Sequence, residues 1–271
     1  MILNGDALTQ LKTLDSESID VVITSPPYYG LRNYGVENQI GLEKTPIGYI
    51  DNLLNIFREC KRVLKKTGSC WVNMGDSYDK NKSLLGIPER FVLGMIPQGW
   101  IRRNTIIWHK NNCMPSSVMD RFTIDFEYFY FFTKSQKYYF ETQYEPSQDT
   151  AKRIKNTIGG PKNALHNHGS SSRTYGKTVK QISLNPNGRI KRCVWSISPK
   201  SFKEAHFATY PEKLIETPIK ACCPENGIVL DPFFGAGTTG LVAKKLGRKY
   251  IGIELNPEYV EIANNRIDSI L

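Results

Sequence analysis

The stretch GIVLDPFFGAGTTGLVAKKLGRKYIGIELNPEYVEIANNRI, residues 227–267, constrains the fold more than any other part of the chain. A short β-branched run leads into a Gly-rich turn and a helical pattern. A second β-branched run follows, ends in Glu254, and gives way to another helix. Strands alternating with helices at this spacing specify a parallel sheet covered on both faces. Two strands do not make such a sheet, and residues 255–271 leave room only for a helix. The remaining strands are therefore expected upstream, in an order where the nucleotide-binding half comes last.

The turn itself, Asp231-Pro232-Phe233-Phe234-Gly235-Ala236-Gly237-Thr238-Thr239, follows a strand and opens a helix. Glycines at a βα turn allow a ligand to approach the backbone closely. Glu254 closes the next strand, near the ~20-residue spacing at which an acid takes the ribose hydroxyls of an adenosine-containing cofactor. Gly240 stands at G-x-G-x-x-G spacing with two threonines intervening, and no G-x-x-x-x-G-K-[ST] phosphate loop occurs. A cofactor without a pyrophosphate fits better than NAD or ATP.

Upstream, DVVITSPPYYG runs a buried strand into Ser25-Pro26-Pro27-Tyr28. Neither proline can donate to a sheet ladder, and each fixes its own φ, so the strand ends in a rigid tip. In open α/β sheets ligands sit at the carboxyl ends of strands. The double-proline tip and the Gly-rich turn are thus expected to face one cleft. Between them the pattern predicts a helix over TPIGYIDNLLNIFRECKRVLKKTG, with Lys65 and Lys66 in its last turn and Gly68 just beyond. It also predicts a strand in SCWVNM, a helix in IPERFVLGMIPQGW, a strand in WIRRNTIIWHK, a hairpin in DFEYFYFFTKSQKYYF and a helix in YPEKLIETPIKAC.

Charge divides the chain unevenly. The net charge is +10, yet no acid occurs between Asp149 and Glu204, where twelve Lys and Arg fall; outside that gap 24 basic residues face 26 acidic ones. The excess positive charge thus belongs to one Gly-, Asn- and Ser-rich segment with no long apolar period. It reads as an insertion whose surface suits a polyanion, most simply nucleic acid. We expect three regions: 1–140 and 204–271 as two halves of one domain, and 141–203 as the basic insert.

Other function classes fit poorly. No run approaches the 18 apolar residues of a membrane span, and MILNGDALTQ has no signal-peptide character. The six cysteines form no C-x-x-C pair, which suits reduced thiols in a cytoplasm. His109, His166, His168 and His206 form no metal-ligand pattern.

Together these motifs resemble the amino-methylating DNA methyltransferases, over nearly the whole chain. TSPPYY is similar to the family's catalytic [S/D/N]-P-P-[Y/F] tetrapeptide, DPFFGAGTT to its cofactor loop and GIELN to its ribose-binding strand. With the catalytic motif first, the order is that of the family's beta group. The resemblance implies a Rossmann-like α/β fold in circularly permuted order, S-adenosyl-L-methionine as cofactor, and a target-recognition region where the basic insert lies. By position it implicates Ser25, Pro26, Pro27 and Tyr28 in catalysis. Asp231, Phe233, Gly235, Gly237 and Thr238 would meet the methionine end of the cofactor, Glu254 its ribose and Asp6 its adenine. AHFATYPEKL would wrap the carboxylate through Phe207, Thr209 and Pro211. A further block implicates Trp108, Lys110, Arg121 and Glu127, although Trp108 taken alone reads as core; a plain turn residue is the alternative for Asp6. Lys152, Arg153, Lys155, Arg173, Lys177, Arg189, Lys191 and Arg192 are the candidate DNA contacts.

The implied reaction is methyl transfer to the exocyclic amine of a flipped base in double-stranded DNA. The Pro26 carbonyl and Ser25 hydroxyl would accept the amine hydrogens, and Tyr28 would stack on the base. No Pro-Cys dipeptide occurs, which disfavours methylation of a cytosine carbon. Serine at position 25 leans toward cytosine N4 over adenine N6. Candidate partners are a second copy of the chain and a restriction endonuclease acting on the same site. The rival readings are the same chemistry on RNA or a protein amide, a DNA-binding module without catalysis, and an NAD-type oxidoreductase.

Overall fold

The computed structural model describes residues 1–146, 187–199 and 210–269. In chain order its strands are β1 (Ile2–Asn4), β2 (Ile19–Thr24), β3 (Leu64–Met74), β4 (Ile101–His109), β5 (Phe126–Thr133), β6 (Tyr144–Glu145), β7 (Arg189–Ile190), β8 (Val194–Ser196), β9 (Ile228–Asp231) and β10 (Lys249–Glu254). The helices are α1 (Ala7–Thr13), α2 (Pro46–Val63), α3 (Ile87–Met95), α4 (Glu212–Cys222), α5 (Thr238–Lys245) and α6 (Pro257–Asp268). The chain divides into two compact units, Met1–Glu141 with Cys193–Leu271, and Thr142–Arg192.

The first unit is built on an eight-stranded mixed sheet in the order β1-β10-β9-β2-β3-β5-β4-β8. β1, β10, β9, β2 and β3 run parallel. β5 is antiparallel to both β3 and β4, so β4 and β8 run the same way as β2. The two ends of the chain share this sheet: β1 pairs with β10, and β9 sits beside β2. The C-terminal βαβα stretch is completed by N-terminal strands, as expected from its own lack of partners.

All six residues of β2 are buried, the pattern of a parallel strand covered on both faces. On one face, Leu11 of α1, Tyr49, Leu53 and Phe57 of α2, and Phe91 and Met95 of α3 pack against Val22, Val72, Phe132 and Leu230. On the other, Leu214, Ile215 and Ile219 of α4 and Val242 of α5 meet Val21, Ile23, Trp71, Phe131 and Val229.

Helix α2 starts where its chemistry says it should. The Thr45 side chain caps Gly48 N at 3.1 Å and Pro46 occupies the first turn. Its end departs from expectation: the helix stops at Val63, with Lys61 and Arg62 in the last turn. Leu64, Lys65, Lys66 and Gly68 belong to β3. Leu64 is fully buried opposite Ile19, and Lys65 Nζ lies 2.7 Å from Asp20 Oδ1, so sheet pairing overrides the helical preference of lysine. The aromatic hairpin also gives way. β5 takes β4 as its hairpin partner, and the chain after Thr133 instead bonds Lys134 N to Gly68 O and Tyr139 N to Thr67 O.

In the second unit, β6 and β7 pair antiparallel, Tyr144 with Ile190 and Glu145 with Arg189. Val194–Ser196, which fall inside the expected 141–203 insert, form an edge strand of the main sheet instead.

Candidate active site

Strand direction gathers the chemistry at one edge. β1, β2, β3, β4, β9 and β10 all end on the same side of the sheet. The strand ends and loops at that edge carry Asp6, the 25–28 tip, Asn73 and Gly75, Lys110, the 231–237 turn and Glu254. Thr24 Oγ1 donates to Asp231 Oδ1 at 2.6 Å, so the last residue of β2 holds the last residue of β9.

The Gly-rich turn is braced from inside. The Asp231 carboxylate is 1% exposed and accepts from Thr24 Oγ1, Phe233 N (3.0 Å), Tyr210 OH (3.0 Å) and Thr239 Oγ1 (2.5 Å). Burial pushes its pKa up to about 6 against these four donors. The carboxylate thus braces the loop from below. Thr238 is likewise buried, with Arg266 donating to its hydroxyl at 2.9 Å. Phe233 is half-buried against the core. The two glycines differ. Gly237 (φ +77) is a packing glycine, because a Cβ there would stand 2.8 Å from Ala263 Cβ of α6. Gly235 (φ +50) has open space where a Cβ would project, and its N–H donates to Glu254 Oε2 at 2.7 Å.

Glu254 also accepts from Asn256 N through Oε1 at 2.8 Å, and burial raises its pKa. Each carboxylate oxygen keeps acceptor capacity beyond these bonds. Asp6 caps α1, its Oδ1 accepting from Thr9 N and Thr9 Oγ1 at 2.8 Å each. It stands at the end of β1, beside Glu254, whose carbonyl accepts from Gly5 N. Pro211 caps α4, next to the Tyr210 that reaches Asp231. Phe207 and Thr209 lie outside the described residues.

The double-proline tip is held by its carbonyls. Tyr49 OH donates to Pro27 O at 2.8 Å, Leu31 N to Tyr28 O at 3.3 Å, and Ser77 Oγ to Tyr29 O at 2.8 Å. Among the described residues no donor reaches the Pro26 carbonyl. Tyr28 is fixed at its far end. Its hydroxyl donates to Glu127 Oε2 at 2.6 Å and receives Asn73 Nδ2 at 2.7 Å, while Asn73 also reaches Glu127 Oε2 at 2.5 Å. Lys110 Nζ closes the network on Glu127 Oε1 at 2.5 Å. Burial, then the Glu127 carboxylate, raises the Tyr28 pKa well above its ordinary value, so the phenol stays protonated. The ring rests against backbone: a Cβ on Gly75 would come within 2.9 Å of Tyr28 Cε2.

Lys110 and Glu127 therefore belong to the tip's support. Trp108 is core, 4% exposed, with Nε1 donating to Ile197 O at 2.8 Å. Arg121 lies farther out, its guanidinium 3.6 Å from the Tyr78 ring centroid. Sequence reading missed Asn73, Gly75, Tyr49 and Tyr210. Asn73 is the polar break in the buried run Cys70–Met74.

Of the candidate DNA contacts, Lys152, Arg153, Lys155, Arg173 and Lys177 fall outside the described residues. Arg189, Lys191 and Arg192 lie in the second unit. There Arg189 Nε and Arg192 Nε both approach Glu145 Oε1, at 2.8 and 2.7 Å, and Lys191 N donates to Gln143 O. Among the described residues no cluster of His, Cys, Asp and Glu could hold a metal ion, and no helix is long and apolar enough to cross a membrane.

The fold recurs in a solved structure. PvuII DNA methyltransferase, cytosine-N4-specific, superposes with a TM-score of 0.72 at 24% identity, over 98% of this chain and 85% of that one. The fold is thus the Rossmann-like methyltransferase fold in permuted order. The DNA methylase family profile of the N6/N4 type matches residues 19–265. Type II methyltransferase M.Cfr9I of Citrobacter freundii is 38% identical over 98% of this chain and 87% of its own length. DNA adenine methyltransferase YhdJ of Escherichia coli is 30% identical over 98% and 82%. The chain belongs to the N6/N4 DNA methylase family.

Proposed function

We propose that this chain transfers a methyl group from S-adenosyl-L-methionine to the exocyclic amine of a base flipped out of duplex DNA, with cytosine N4 as the acceptor. The observation that carries the reading is the pair of adjoining loops. The Pro26 carbonyl has no donor among the described residues and sits one residue beyond Ser25, which follows the Thr24 that holds Asp231.

The cofactor loop fits the group. Gly235 has open space where a side chain would stand, Glu254 keeps acceptor capacity at the end of β10, and Asp6 stands at the end of the next strand. These residues, with Phe233, would hold it. When bound, S-adenosyl-L-methionine supplies a methyl group activated by a sulfonium.

The chain's own part is to make a poor nucleophile ready. An exocyclic amine delocalises its lone pair into the ring. Hydrogen bonds from its N–H groups to the Pro26 carbonyl and the Ser25 hydroxyl favour a pyramidal nitrogen and release that pair. The prolines fix φ at ~−65°, so the carbonyl is aimed before the base arrives. Tyr28, seated on Gly75 and tethered to Glu127, supplies the face on which the base stacks. No covalent nucleophile is required.

Ser25 supports cytosine N4, and the cytosine-N4-specific PvuII enzyme shares the fold. Adenine N6 is the second reading, favoured by the adenine methyltransferase among the relatives. Sequencing DNA from cells expressing the protein, with methylcytosine and methyladenine both detected, separates them and gives the recognition site. Methyladenine alone refutes the cytosine assignment, and an unmodified genome refutes the activity. Ser25→Ala is expected to lose methyl transfer while binding the cofactor with unchanged affinity; equal loss of both would break the proposed division of labour.

A further inference from the structure

We propose that the loop spanning residues 110–125 is a wedge that enters the DNA duplex through Met119 and Phe122 and fills the place the target base vacates. The proposal rests on the reading of the chain as a base-flipping DNA methyltransferase.

The loop leaves β4 after His109 and returns in β5 at Phe126, residues that face one another in the sheet. Its neck is closed by Lys110 N on Asp125 O at 2.7 Å. The same neck carries the Lys110–Glu127 pair that holds Tyr28, so the loop is rooted in the support of the catalytic tip. A base stacked on Tyr28 must therefore leave a duplex lying close to this loop.

The tip is apolar and outside the fold. Met114 is 88% exposed, Met119 98% and Phe122 97%, while Val118 and Ile124 are also exposed. A single exposed apolar side chain is ordinary, but three nearly bare ones within nine residues form a surface made for a partner. The loop is nonetheless placed: Asp120 pairs with Lys82 at 2.6 Å, and Arg121 lies over Tyr78.

Charge selects the partner. Two acids of the loop and its neck have a cation beside them, Asp120 with Lys82 and Glu127 with Lys110, and Asp125 lies 3.5 Å from the His109 ring. The surface around the apolar tip thus presents matched acids and the Arg121 guanidinium, which a phosphate backbone tolerates. Extruding a base leaves a gap in the stack, and apolar wedges between base steps are a known means of filling one. Phe122 and Met119 have the size and polarity for it.

The test uses the full chain with S-adenosyl-L-methionine and duplexes carrying the mapped recognition site. In one duplex the target base is normally paired; in the other it faces an abasic position, so the base is already loose. Phe122→Ala, Met119→Ala and the double variant touch no core and should keep the parent melting temperature and cofactor affinity. The double variant is expected to lose about tenfold or more in kcat/KM on the paired duplex. On the abasic-facing duplex it should recover to within about threefold of the parent. Full activity on the paired duplex, or an equal loss on both duplexes, overturns the wedge. Loss that tracks dissociation of a dimer in sedimentation assigns the tip to a second copy and also overturns it. A parent enzyme that methylates neither duplex would sink the assigned activity, and the wedge with it.

Discussion

Replacing Tyr28 by Phe removes one oxygen from the network beneath the double-proline tip and leaves the ring in place. The lost hydroxyl donates to Glu127 at 2.6 Å and receives Asn73 at 2.7 Å. A hydrogen bond to a charged group contributes about 1.5–3 kcal/mol. Glu127 keeps Lys110 and Asn73, so Tyr28→Phe should destabilise the fold by about 2 kcal/mol. Glu127→Ala removes the same bond and strands the Lys110 ammonium, which is 23% exposed; a loss of about 3–4 kcal/mol follows. The Tyr28–Glu127 bond cannot be lost twice. The double variant should therefore fall short of the summed losses by about 1.5–3 kcal/mol. Urea unfolding of the four proteins measures this directly. In methyl transfer, Tyr28→Phe should lower kcat by about tenfold, with cofactor affinity unchanged, because the ring stays on Gly75 but loses its lateral tether. Additivity within about 0.5 kcal/mol would refute the network.

The two glycines of the cofactor turn should separate in the same assays. Gly235→Ala meets no atom and loses only the about 1–2 kcal/mol of a left-handed backbone, yet should weaken cofactor binding about tenfold or more. Gly237→Ala strikes Ala263 and should unfold the protein at a distinctly lower temperature. Asp231 reverses the usual pH behaviour of a carboxylate. Its pKa is about 6 in the fold against 3.8 when exposed, so the native state binds the proton more tightly than the unfolded chain. Its contribution to stability is greatest below about pH 4, falls by about 3 kcal/mol in all as pH rises through about 6, and is level above about pH 7. Asp231→Asn should flatten that slope in urea unfolding at pH 4–7; an unchanged slope would mean the burial does not perturb the acid.

Local chemistry made the essentials legible. The βαβα run, the Gly-rich turn and the double proline are short-range signals, and two parallel strands need further partners, which β1 and β2 supply. What escaped were tertiary choices. Lys65 and Lys66 look like a helix end until Asp20 and Ile19 draw them into β3. The aromatic run after Asp125 looks like a hairpin until β4 takes the partner's place. Tyr49 reads as an ordinary core position of α2, because nothing local says its hydroxyl will meet Pro27 O. Gly75 reads as a turn glycine, although a ring from 47 residues earlier lies against it. Asn73 carried a weak signal, a lone amide inside an apolar strand, which a buried strand tolerates only with a partner.

The permuted order places an unusual burden on one seam. The double-proline tip comes from the first half of the chain and the Gly-rich turn from the last, and they meet where β2 adjoins β9. That pairing is short, Val21 with Val229 and Val22 with Leu230. Two ladder positions set the register but not the angle at which the strand ends emerge. The Thr24–Asp231 bond lies just beyond them, at the point where both chains turn into the cleft. Asp231 then passes the constraint on, through Phe233 N to the turn, through Thr239 to the start of α5, and through Tyr210 to the approach of α4. A single buried carboxylate thus sets the spacing between the double-proline tip and the Gly-rich turn, the proposed holders of the amine and of the methyl donor. Loss of that carboxylate should therefore alter the rate of transfer more than the affinity for either partner alone, and single-turnover kinetics of Asp231→Asn against binding of cofactor and DNA would show whether it does.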